Sequence, residues 1–212
     1  MRNDATMSLP FGSNAVSSLA EALAYEVGTV NFVPAAHLPL WLPDLRVPPR
    51  WEPTIPSGAV TRMLRRRIRS EERWDACEVI KLYRVAGAIP EALVHEQVAR
   101  ALHDSGAQEF ESRRIDLPLH HNVIGAQASG LLSIRDGVLR SRYTDYAVNT
   151  AAGGALIEQI IFVVGEAFPL LESELASLTN DLERALLSSI DNASTSVARS
   201  PISTSHPSPG EQ

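Results

Sequence analysis

Three extended runs in the C-terminal half follow one another across two short connections, of two and seven residues. No other feature of the sequence limits the fold as much. Gln127–Arg135 and Val138–Val148 flank Asp136–Gly137, and Asp-Gly suits the type I′ geometry of a two-residue hairpin. After Ala152–Gly153–Gly154 comes Leu156–Val164 (LIEQIIFVV), the most β-prone stretch of the chain. Strands joined this tightly run antiparallel and side by side. A covering layer follows at once: Phe168–Ile190 reads as a helix with Leu171, Leu175, Leu178, Leu182, Leu186 and Leu187 on one stripe. Its outer face carries Glu172, Glu174, Asp181, Glu183 and Arg184.

Upstream, Cys77–Val85 alternates with apolar residues on both sides, the pattern of a central strand. Gly87 turns the chain. Pro90, Glu91 and Glu96 open a helix that runs to about Asp104, with Leu93, Val94, Val98, Ala101 and Leu102 as its buried stripe. Ser105–Gly106 ends it, and Gln108–Leu117 reads as a further strand anchored by Phe110 and Ile115. Ala59–Arg69 fits two periods: Val60, Met63, Leu64 and Ile68 stack on a helix, while a strand spreads Val60, Leu64 and Ile68 along one side. Strand, helix, meander and long helix in this order predict an α+β fold, an antiparallel sheet packed by helices.

The ends read differently. Residues 1–27 form a leader with a short helix over Ala15–Val27, capped by Asn14 and stopped by Gly28. Val30, Phe32 and Val33 are apolar. Residues 34–56 then hold seven prolines, which argues for irregular extended chain. Trp41, Leu42, Leu45, Val47 and Trp51 in that stretch are apolar enough to pack on the domain. A single domain is expected over 28–190. Residues 191–212, mostly Ser, Thr, Pro and Asn, are expected to be a disordered tail.

Charge and cysteine content exclude whole classes. Lys and Arg number 19 against 25 Asp and Glu, a net charge of −6, which argues against a nucleic-acid binder. The single Cys77 excludes an intramolecular disulfide and a multi-thiolate zinc site; set mid-strand, it is expected to be buried and inert. Met1–Leu9 has no apolar signal-peptide core, and Ala155–Pro169 is broken by Glu158, Gln159, Gly165 and Glu166. The expectation is a soluble, cytoplasmic protein with no membrane span, export by dedicated machinery staying open.

The segments RWDACEVIKLYRVAGAIPEALV (73–94) and SGLLSIRDGVLRSRYTDYAVNTAAGGALIEQIIFVV (129–164) resemble the opening strand–helix and the closing meander of the actinobacterial LpqN/LpqT lipoprotein family. An amphipathic helix follows the meander in both. The resemblance spans roughly residues 28–190. It implies a PsbP-like αβα sandwich, and it makes 59–69 a strand. It supplies no catalytic residues. The family's signal peptide and lipid-accepting cysteine have no counterpart in this sequence.

No stretch spells out a catalytic, cofactor or metal motif. His120 and His121, adjacent in extended chain, point to opposite sides. His95 and His103 stand about 12 Å apart along one helix, so neither pair shares an ion. Ala152–Gly153–Gly154 precedes a strand rather than a helix and reads as a turn, not a phosphate loop. Ser129–Gly130 lacks the Gly-x-Ser-x-Gly elbow. Two candidates remain. Arg62, Arg65, Arg66, Arg67 and Arg69 form a dense basic run that suits an acidic partner protein, or else a charged edge strand. Trp41 and Trp51 suggest an apolar small-molecule pocket under the proline-rich segment. The expected function is a non-enzymatic binding domain for a partner protein or an apolar small molecule, with no cofactor; the alternative is an enzyme with a dispersed active site.

Overall fold

In the computed structural model, alternation and helical stripes resolve into three layers. The structure describes residues 18–37, 45, 47–55, 58, 60–69, 73–118, 122–135 and 137–198. Strands β1 (Val30–Phe32), β2 (Trp51–Pro53), β3 (Arg62–Arg66), β4 (Ala76–Val85), β5 (Gln108–Arg114), β6 (Val123–Ile134), β7 (Gly137–Thr150) and β8 (Gly153–Val164) form one antiparallel sheet. Its order is β2-β3-β4-β8-β7-β6-β5, with β1 also on β4. Helices α1 (Leu19–Glu26) and α2 (Glu91–Asp104) cover one face, and α3 (Phe168–Ala198) crosses the other.

Period-two alternation sorts the core. From β4, Val79, Tyr83 and Val85 pack beneath α1 and α2, while Ile80 and Leu82 meet α3. From β8, Leu156, Ile160 and Phe162 face the first layer, and Ile157, Ile161 and Val163 the second. Leu171, Leu175, Leu178, Leu182 and Leu186 of α3 are all buried, as the stripe predicts. Truncating any one of them to alanine removes about 2–5 kcal/mol.

β1 and β3 lie end to end along β4. β1 pairs with Tyr83–Val85, β3 with Ala76–Ile80. Thr61 splices them: its hydroxyl donates to the Val33 carbonyl (2.8 Å) and accepts from the Leu82 amide (3.0 Å).

Several boundaries differ from the sequence reading, each for a local reason. α1 begins after Ser18, not Asn14, which lies outside the described residues. Ser18 Oγ accepts from the Glu21 amide and the Glu21 carboxylate accepts from the Ser18 amide, a capping box that fixes the start. The ambiguous 59–69 segment is strand over Arg62–Arg66, because its backbone completes the β4 ladder.

Neither glycine turns the chain as the sequence suggests. Gly137 pairs with Ile134 as a strand residue, while Asp136 lies outside the described residues; Gly153 pairs with Thr150, leaving Ala151 and Ala152 as the second loop. Gly153 and Gly154 are therefore strand residues. A Cβ on Gly153 (φ +126°) would lie 2.5 Å from the Val85 carbonyl oxygen, and one on Gly154 would lie 2.8 Å from Ile89 Cγ1. The β4–α2 connection presses so close that neither position has room for a side chain. β5 ends at Arg114 and is exposed along its whole length, Phe110 included, because it is a sheet edge. α3 continues through Ala198, past the expected domain end at 190; residues 199–212 lie outside the described residues. No helix among the described residues is long and apolar enough to cross a membrane.

Candidate functional site

One helix cannot roof this sheet. Seven strands side by side span roughly 30 Å at about 4.8 Å each, whereas an α-helix with its side chains is about 10 Å wide. The amino-terminal part of α3 lies on β2, β3, β4 and β8 through Leu171, Leu175 and Leu178. The same face of β7, β6 and β5 is left partly open beside it. A groove of about 260 Å³ forms there. Its floor is Ile161 and Val163 of β8 with Phe168 and Leu175 of α3; Arg140 and Arg142 of β7 rise from one side and Glu109 and Glu111 of β5 from the other.

The arginines are placed by strand parity. Arg140 and Arg142, two residues apart, share the face that carries Tyr146 and Val148 onto α3. The Arg140 guanidinium stacks over the Phe168 ring, 4.4 Å from its centre. Arg142 is half-buried and forms no ion pair within 4 Å among the described residues. Burial is the main influence against its charged form; the Arg113 guanidinium adds to it, and Glu172 on α3 acts the other way. Glu111 accepts a hydrogen bond from the Ser129 hydroxyl (3.3 Å).

The arginine run from 62 to 69 is distributed rather than gathered. Arg62 pairs with Glu78 (3.2 Å), a carboxylate 1% exposed that also accepts from Gln159 Nε2 (2.8 Å). Burial raises the Glu78 pKa, and Arg62 and Gln159 pull it back. Arg66, itself buried, holds Glu174 of α3 through Nε (3.0 Å), and Trp51 Nε1 donates to the same carboxylate (2.9 Å). Arg69 pairs with Asp75 (2.6 Å) and with Glu166. Arg65 and Arg67 lie against the Trp74 ring, 5.2 and 3.7 Å from its centre. β3 is an interior strand, so these charges tie layers and loops together instead of blunting an edge.

Other candidates also find structural places. Trp51 packs with Leu64 and Leu171 as an anchor, and the groove opens on the other flank of α3 from it. Trp41, His120 and His121 lie outside the described residues. His95 meets Glu91, and His103 meets Asp104 and the edge of Phe110. Burial pushes the Cys77 thiol up to about 11. Among the described residues no three His, Cys, Asp or Glu side chains converge as a metal site.

The layer beneath α1 holds a feature the sequence reading missed. Lys81, Glu158 and Asp145 are successive cross-strand neighbours on β4, β8 and β7. Glu158 lies 3.7 Å from Lys81, and both carboxyl groups are buried. Burial holds Asp145 well above the ordinary carboxylate range, Glu158 pushes it further, and Lys81 acts against both. Glu158 is raised by burial, against Lys81 and the Ala20 amide. This pair faces α1 and α2, the opposite side of the sheet from the groove, and does not line it.

The architecture is an antiparallel αβα sandwich of the LpqN-like class. LpqN of Mycobacterium tuberculosis, a protein involved in cell envelope biogenesis, matches with a TM-score of 0.59 at 14% identity, over 82% of this chain and 96% of that one. The Ran-binding protein Mog1p of Saccharomyces cerevisiae matches with a TM-score of 0.32 at 10% identity, over 77% of this chain and 86% of that one. No family model and no curated protein matches the sequence.

Arg140 and Arg142 were legible as charges but not as a site. Two arginines at i and i+2 on a strand that is otherwise buried mark one face of it as uncovered. That inference needs β7 to be known as an interior strand.

Proposed function

We propose that this chain is a non-enzymatic binding domain that takes into its groove a small molecule joining an apolar body to an anionic group. The observation that carries the reading is Arg142: a half-buried guanidinium without an ion-pair partner among the described residues, set beside an apolar floor of Ile161, Val163, Phe168 and Leu175. A carboxylate or phosphate there gains a charge-assisted hydrogen bond, while the floor buries the adjoining apolar part. The volume of about 260 Å³ lies just below the usual range of ligand pockets, which favours a small occupant. We favour binding without turnover because the buried Asp145–Glu158 carboxyl pair lies in the other layer, away from the groove.

Calorimetric titration with hexanoate, hexanol and hexylamine tests this. Hexanoate is expected to bind, hexylamine not, and Arg142→Gln to weaken hexanoate by about tenfold or more. Equal binding of hexanol and hexanoate, or indifference to Arg142→Gln, refutes the reading. Recovery of the ligand chemically unchanged separates binding from catalysis.

A further inference from the structure

β5 is the long open edge of the sheet. At the opposite edge β2 is three residues and ends in Pro53, which cannot donate a ladder hydrogen bond. β5 is seven residues, Gln108–Arg114, exposed throughout, with no strand on its outer side among the described residues. Such an edge is a template for another strand.

Backbone parity says which groups it offers. The Ile115 amide donates to the carbonyl of Gly125, its direct partner in the β5–β6 register. Arg113 opposite Gln127 and Glu111 opposite Ser129 are then the inward-bonded positions of the antiparallel ladder. Ser112 and Arg114 turn their N–H and C=O groups outward. An added strand must bond to those.

The sequence QEFESRR (108–114) is charge-complementary to itself when reversed. Only registers that place outward groups opposite outward groups are available. Centring on Glu111 sets Glu111 against its own copy, and centring on Arg113 does the same with arginine. Like charges directly opposed destabilise a strand pair. Centring on Ser112 sets Glu111 opposite the partner's Arg113, twice by symmetry, within Glu111–Arg114, the regular stretch that follows a register shift between Gln108 and Glu111. Opposite charges favour that pairing.

We propose that two copies of this chain pair antiparallel along β5 about a two-fold axis at Ser112, joining their sheets into one. The contact is isologous and closes on itself. It also explains why a charged edge is kept open: the same charges refuse strands of other sequence and accept their own copy. Glu111 lines the groove, so the pairing brings the partner's Arg113 to the groove's outer rim.

Sedimentation equilibrium of the full chain tests the proposal. The wild type is expected to dimerise as its concentration rises towards about 1 mM. Glu111→Arg and Arg113→Glu each place like charges opposite one another and should weaken association more than about tenfold. Mixed, the two variants should form a heterodimer, since every opposed pair is again of unlike sign. Ser112→Pro removes an outward amide, leaves the β6 ladder intact, and should give a folded monomer with an unchanged circular-dichroism spectrum. A wild type that stays monomeric throughout, a dimer indifferent to the single charge reversals, or a mixture that stays monomeric overturns the proposal.

Discussion

Replacing Asp145 by asparagine takes one of two carboxyl groups out of the layer beneath α1 and leaves the side-chain shape almost unchanged. Asp145 and Glu158 are direct partners in the β7–β8 register, each 5% exposed. Opposed Cβ atoms lie about 4.5–5.5 Å apart in such a pair. Two full charges about 5 Å apart at an effective dielectric of about 20 repel by ~3 kcal/mol. Lys81, 3.7 Å from Glu158, offsets part of this, leaving an expected gain of about 1–2 kcal/mol for Asp145→Asn at pH 8. The gain depends on pH in a definite direction. Burial raises both carboxyl groups, so the native state keeps protons that an unfolded chain releases near pH 4. Wild-type stability attributable to this pair therefore falls as pH rises from about 4 through the raised native values. Well below pH 4 both carboxyl groups are protonated in the native and the unfolded state, and the variant and wild type should converge. Urea denaturation followed by circular dichroism, repeated from pH 4 to pH 8, measures the gap. A variant less stable than wild type at pH 8, or a gap that does not widen with pH, refutes the reasoning.

Three further outcomes are expected. Glu174→Ala leaves the buried Arg66 guanidinium uncompensated and frees Trp51 Nε1, at a cost of about 3 kcal/mol in urea melts at pH 7. Because the hydrogen bond from Arg66 holds this carboxyl below its ordinary value, its contribution is present above about pH 4 and fades as pH falls through the lowered native value. Gly153→Ala, which forces a Cβ to 2.5 Å from a carbonyl oxygen, should lower stability by roughly 2–4 kcal/mol. That is more than Gly137→Ala, where φ is +143° but the space is open, and thermal melts rank the two. Cys77, with its thiol at about 11, should react with iodoacetamide at pH 8 about a hundredfold more slowly in the native protein than in urea.

The parts of the fold legible in the sequence are those where one period dominates. Cys77–Val85, Glu91–Asp104 and the leucine stripe of α3 declare themselves through alternation or 3.6-residue spacing. The layer assignment of each residue then follows from parity. Arg62–Arg66 resists this reading because its arginines break both periods. Arg62 and Arg66 point inward to Glu78 and Glu174, and only the folded chain brings in those carboxylates, the latter from over a hundred residues away. The glycines at 153 and 154 misplace the turn for a similar reason: what they accommodate is the β4–α2 connection, remote in sequence. The groove was not legible at all. It exists because α3 is narrower than the sheet, a property of the assembled layers that no segment carries alone.

The splice at Thr61 makes β1 and β3 one strand in space and two in sequence. Between Val33 and Thr61 the chain re-enters the sheet as β2, so the ladder along β4 and the β2–β3 pairing fix both ends of the stretch from 34 to 50 without setting its length. Closing a loop twice as long costs only about 0.6 kcal/mol more. This is therefore the place where the architecture is free to accept foreign chain, a tag or a whole inserted domain, with its anchoring hydrogen bonds untouched.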